Sequence, residues 1–171
     1  MSARHWHCLN ACLYYCVADL PFLEVAGTLG GLIDAFDPEQ LAHAVRAKHL
    51  QLDDAGKPPL AIKRTMTIAA ALELANAPRV IDYWSLDTEG TELVLSKSFP
   101  FDRYTFNVLT VEHNQQPARH AIRHFLEARG FAYITRLFID DCYIRTAAFP
   151  NRFSKSAVWR HRALFGRMRA L

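Results

Sequence analysis

The chain has 171 residues, of which 51% are hydrophobic and 22% charged, with a net charge of +3. That length suits one domain with a sizeable core, and the composition excludes an intrinsically disordered chain. No uninterrupted apolar stretch approaches the ~20 residues that cross a bilayer, so no transmembrane segment is expected.

The charge is unevenly placed. From Pro150 onward there are six Lys/Arg and no acid, so a basic tail (150–171) follows a mildly acidic body (1–149). Overall charge gives no reason to expect nucleic acid as a partner. The tail spaces Val158, Leu164, Phe165 and Met168 among arginines, a pattern that fits an amphipathic helix on the sheet, an anionic surface, or a solvated end.

The opening MSARHWHCLNACLYYCVADL imitates a weak signal peptide, yet Asn10 interrupts it and a strand-like LNACLYYCV explains it equally well. A cytoplasmic location is the expectation. Cys8, Cys12, Cys16 and Cys142 lack the paired C-x2-C knuckle of a zinc site. Buried free thiols in a reducing compartment follow, although the first three would share a face if helical.

HCLNACLYYCV and PFLEVAG read as strands or a hairpin-like pair. GTLGG, from Gly27 to Gly31, lacks the spacing of a phosphate loop and reads as a loop or bulge. Asp37-Pro38-Glu39 starts a helix, with an oxygen cap, proline first and an acid at the positive end. It runs through EQLAHAVRAKHL, with Leu41, Val45 and His49 inward, until DDAGKPP breaks it. A second helix begins near Thr67 and stops before Pro78.

VIDYWSLD is apolar nearly throughout, as for a strand buried on both faces of a parallel sheet. TELVLSKSF is a short helix ended by Pro100. TFNVLTVEH is another buried strand, finishing at Glu112 and His113. ARHAIRHFLEARG is a helix with Ala121, Ile122, Phe125 and Leu126 inward and Gly130 as its stop. His120 and His124 lie four apart on it, without the Glu of H-E-x-x-H, and read as a solvated face. FAYITRLF and DCYIRTA close the pattern as two strands joined too tightly for a parallel crossover, so one runs antiparallel.

The order of elements predicts an α/β fold with a mostly parallel sheet. Ligands in such sheets sit outside the carboxyl ends of the strands, where Asp87, Glu89, Glu112 and His113 fall. Residues two apart in an extended strand point the same way, so Asp87 and Glu89 can face one cleft. Gly90 permits a tight turn, and Glu92 falls in the first turn of the next helix.

These residues resemble the FkbM-type family of S-adenosylmethionine-dependent methyltransferases. IDYWSLDTEGTELVL is similar to the family's strand ending in Asp-x-Glu-Gly-x-Glu, and FNVLTVEHN, Gly130-Phe131 and DDCYIR follow in order. TMTIAAALELANAPRVID resembles the segment leading into the acidic motif, so the likeness covers about Thr65 to Thr146, with FLEVAGTLGGLID a looser match. It implies a Rossmann-like class I methyltransferase sheet with an antiparallel C-terminal strand, and methylation of a hydroxyl on a small molecule or sugar.

Family members begin with a strand, a glycine-rich loop and a second strand whose terminal acid holds the cofactor ribose. Nothing before Cys8 matches these. The resemblance therefore implies an N-terminally truncated sheet and weak cofactor binding by this chain alone. It also implies an open sheet edge, to be covered by a homodimer partner or another chain.

On this reading Asp87 binds the methionine portion of S-adenosylmethionine, Glu89 faces the acceptor, and Glu112 and His113 complete the catalytic set. His113 is a candidate base, with an unperturbed pKa of roughly 6.5. A divalent ion on Asp87, Glu89 and Glu112 is an alternative. A purely structural alternative has Asp87 and Thr91 capping helix N–H groups and Glu89 solvated. At the level of function, the enzyme stands beside a non-catalytic methyltransferase-like remnant or interaction domain.

Overall fold

The computed structural model describes residues 8–113 and 118–150. The basic tail beyond Pro150 and the terminal His5 and His7 lie outside them. The fold is α/β, with mixed sheets of three and four strands and four α-helices among the described residues. It divides into two units, Met1–Arg79 with Leu86–Thr105, and Val80–Ser85 with Phe106–Leu171.

The sheet of the first unit has β1 (Cys12–Leu13), β2 (Asp19–Phe22) and β3 (Ala61–Met66) in the order β1-β3-β2. β1 runs parallel to β3 and β2 antiparallel to it. The two early strands are therefore not a hairpin; β3 separates them. Thr65, buried in β3, holds this arrangement: its hydroxyl donates to the Cys16 carbonyl at 2.7 Å and accepts from the Ala18 N–H at 2.9 Å. The loop between β1 and β2 is thus tied down over the strand that parts them.

α1 (Pro38–Ala47) begins as its sequence dictates. An Asp37 carboxylate oxygen accepts from the N–H groups of Glu39 (2.9 Å) and Gln40 (2.8 Å), and the Gln40 side chain accepts from the Asp37 N–H (3.0 Å), a reciprocal capping box. Ala44 is its buried residue and packs with Leu23, while Leu29, Phe36, Leu41 and Leu50 close around them. His49, expected inward, is instead exposed beyond the helix end, in left-handed backbone at φ +51°. α2 (Ile68–Leu74) is capped by the Thr67 hydroxyl, which accepts from the Ala70 N–H. α3 (Glu92–Ser98) buries Leu95 and Ser96 and stops at Phe99-Pro100.

The sheet of the second unit contains β4 (Val80–Leu86, its last residue assigned to the first unit), β5 (Thr105–Glu112), β6 (Phe131–Leu137) and β7 (Asp140–Arg145). Their order is β4-β5-β7-β6, and β7 runs antiparallel to both its neighbours. The antiparallel last strand agrees with the short link before it; the sheets are mixed rather than mostly parallel.

α4 (Ala118–Glu127) buries Ile122 and Leu126, whereas Ala121 is exposed and Phe125 is half-buried beneath the Arg129 guanidinium. His120 and His124 are exposed, as a solvated face requires. Aromatic rings meet within this unit: Phe106 stacks on Phe131 at 4.5 Å between ring centres, and Trp84 meets Phe106 edge-on at 5.2 Å.

One expectation fails in an informative way. β4 is not buried on both faces: among the described residues it is an edge strand, and Val80, Asp82, Tyr83 and Ser85 are exposed. At the other end of the sheet, β6 and β7 form a hairpin turning at Phe138-Ile139; Phe138 has φ +57° and is 95% exposed.

Candidate functional site

The acidic motif follows β4 directly. Leu86 is buried, Asp87 is exposed, and the chain then turns sharply, with φ +51° at Glu89 and +105° at Gly90. Gly90 is required here, since a Cβ would lie 2.8 Å from the Ala35 carbonyl oxygen. Glu89 adopts the left-handed region without being glycine, a conformation that persists only where the surroundings impose it.

Glu92 is what imposes it. This buried carboxylate, at the first position of α3, accepts from the Thr88 N–H (2.8 Å), the Thr88 hydroxyl (2.9 Å) and the Gly90 N–H (3.1 Å). The Thr91 hydroxyl joins the network through that of Thr88 at 2.9 Å. The third acid of the motif is therefore the structural one, folding the turn around itself and placing negative charge at a helix start. Thr91, the capping position of α3, makes no side-chain bond to the helix N–H groups.

A cavity of about 630 Å³ opens in the first unit beside this turn. Asp87, Thr88, Glu89 and Thr91 line one part of it, and Lys63 and Arg64 of β3 contribute cations. Lys63 pairs with Glu24 at 2.5 Å and Arg64 with Asp19 at 3.3 Å, both in exposed positions where an ion pair contributes little and exchanges partners readily. Apolar surface comes from Leu13, Phe22 and Leu32, and the thiol of Cys12 is present as well.

Gly30 and Gly31, read from sequence as a plain loop, supply a backbone wall. A Cβ on Gly30 would stand 2.5 Å from the Leu23 carbonyl oxygen, and one on Gly31 would stand 3.3 Å from Cβ of Glu89. Glu89 is thereby half-buried. Burial pushes its carboxyl above the usual range, and the neighbouring charges of Asp87 and then Glu92 push the same way.

Glu112 and His113 belong to the second unit. Glu112 ends β5 and is buried. His113 is buried too; its backbone N–H donates to the Ile139 carbonyl at 2.8 Å and its Nε2 lies 3.7 Å from Oδ1 of Asp141. Burial lowers the His113 pKa, and Asp141 opposes that from the other direction. The Asp87 and Glu89 pair is thus brought to one cavity of the first unit, and Glu112 and His113 are described within the second.

Sequence reasoning missed Lys63, Arg64, Gly30 and Gly31 at the cavity, and Arg119 and Asp141 beside His113. The two glycines were visible in GTLGG, but what they pack against was not. Lys63 and Arg64 sit side by side in β3, which hid that strand's alternation; the exposure along it alternates although the hydrophobicity does not. The cysteines are all free; Cys8 is exposed and Cys12, Cys16 and Cys142 are half-buried rather than buried. Compared with known proteins, the chain matches no protein-family model, no curated protein and no solved structure.

Proposed function

We propose that the chain is an S-adenosylmethionine-dependent O-methyltransferase of the FkbM type, acting on a hydroxyl of a small molecule or sugar. The observation that carries this reading is the convergence of Asp87 and Glu89, the two acids of the Asp-x-Glu-Gly motif, on one cavity. A last strand running antiparallel between β5 and β6 supports the Rossmann-like methyltransferase sheet that goes with it.

The donor set fits the methionyl end of the cofactor. Carboxylates suit its ammonium and sulfonium, Lys63 or Arg64 suits its carboxylate, and the cavity lies within the ~300–1,000 Å³ of small-molecule sites. Bound there, the cofactor supplies a methyl group on a positively charged sulfur. Asp87, exposed at the wall, holds the ammonium. Glu89, the more basic carboxylate because it is half-buried among like charges, accepts the proton that the acceptor hydroxyl gives up. The rigid turn built on Glu92 fixes both, and positioning is the larger part of catalysis for an in-line displacement. For Glu112 and His113 the catalytic roles expected from the family likeness stand as proposals of the same kind.

Calorimetry with S-adenosylhomocysteine tests the reading. Weak saturable binding that Asp87→Asn abolishes is expected. Binding indifferent to Asp87 and Glu89, or none at all, would transfer the case to the non-catalytic interaction domain.

A further inference from the structure

Among the described residues, the four-stranded sheet of the second unit has two edges, and they are treated differently. β6 carries a register shift between Tyr133 and Thr135 and presents Arg136 to solvent, the bulge and charge that blunt an edge against pairing. β4 has neither proline, glycine nor a basic residue along its seven positions, VIDYWSL. Val80 is 47% and Tyr83 55% exposed on it. An edge of that length and composition is a template for another strand.

We propose that β4 pairs edge to edge with β4 of a second copy of this chain, antiparallel about a two-fold axis at Tyr83. The strand is self-complementary in that register. Tyr83, the central residue, meets its own copy, Asp82 faces Trp84, Ile81 faces Ser85 and Val80 faces Leu86. The single charge never opposes itself, and all seven residues pair. Centring the axis on Asp82 instead would set two carboxylates opposite each other, which is destabilising, and would shorten the ladder. Such an interface is isologous and closes after two copies. It joins two four-stranded sheets and stands independently of the methyltransferase reading, since no cavity residue takes part.

The experiment uses the full chain. Light scattering behind size exclusion gives a dimer mass across the micromolar range. Under mild oxidation Tyr83→Cys yields a disulfide joining two copies at position 83, found by peptide mass mapping. Directly opposed residues in an antiparallel pair lie about 4.5–5.5 Å apart between Cα atoms, which is within disulfide reach. Ser85→Cys, whose partner is Ile81, yields no such link. Tyr83→Lys weakens association by about tenfold or more through like charges at the axis, whereas Tyr83→Phe keeps it. A monomer throughout the concentration range overturns the proposal. So does a dimer in which Tyr83→Cys forms no link, because the copies then meet elsewhere.

Discussion

Arg119 and Asp141 face each other through two parallel hydrogen bonds of 2.7 Å, Nε to Oδ2 and Nη2 to Oδ1. Asp141 is only 2% exposed, so the pair is a forked guanidinium closing over a carboxylate that has left water. Removing the cation leaves that charge uncompensated. Arg119→Ala should cost about 3–5 kcal/mol in urea denaturation, and Arg119→Lys should recover part of it without restoring the fork. A loss of under about 1 kcal/mol would mark the pair as an ordinary surface contact instead.

His113 lies against the same carboxylate and sets a pH dependence. Burial lowers its pKa; Asp141 and Asp140 raise it, and Arg119 and Arg136 lower it further. With the net shift downward, the unfolded chain binds the proton more readily than the folded one. Stability is then complete above the ordinary histidine range, at about pH 6.5 and higher, and is lost as pH falls from there through the depressed value. His113→Gln should flatten the stability profile between neutral and mildly acidic pH. An unchanged slope would mean that other groups carry the acid response.

Glu89 combines strain with chemistry. Its left-handed backbone is costly for a residue with a Cβ, so Glu89→Gly or Glu89→Asn should raise stability by up to about 1 kcal/mol. The same variants should weaken S-adenosylhomocysteine binding, the opposition expected where a site holds strain for function. Because its carboxyl is raised, the folded state also holds that proton longer than the unfolded state. This contribution to stability is present at low pH and fades as pH rises through the raised value, and Glu89→Gln should remove the fade. Thermal melts over that range, with ligand titrations beside them, read both effects.

Glu92 makes the opposite prediction. Three donors end on its carboxylate, so Glu92→Ala should cost about 1–3 kcal/mol by leaving buried N–H and O–H groups unanswered. Glu92→Gln keeps an acceptor oxygen and should lose less. If the alanine variant matches wild type in denaturant midpoint and slope, the turn does not depend on this residue.

Much of the fold was legible where local chemistry decides it. Asp37-Pro38 and Thr67 announced two helices through their caps, and Pro78, Pro100 and Gly130 marked ends that tertiary packing did not move. What failed was long-range. Nothing in HCLNACLYYCV tells that a strand beginning nearly fifty residues later will insert between it and PFLEV, because Thr65 does this through hydrogen bonds to Cys16 and Ala18. VIDYWSL reads as a central strand by hydrophobicity, and its edge position follows from the order of the other strands. At the site, Asp87 and Glu89 were visible as a pair. The assignment of Glu92 to structure was not, since three acids within six residues look alike until their donors are located.

The peptide wall at Gly30 and Gly31 leaves the cavity with an uneven capacity for change. Where main chain leans on main chain at 2.5 Å of a would-be Cβ, replacement has no room to act, and that side keeps its contour whatever drift occurs elsewhere. Adaptation to a new occupant is channelled to the side-chain half, where five ionic positions (Glu24, Lys63, Arg64, Asp87 and Glu89) can be exchanged one at a time. Descendants of this chain should therefore differ in the polarity of what they admit sooner than in its outline.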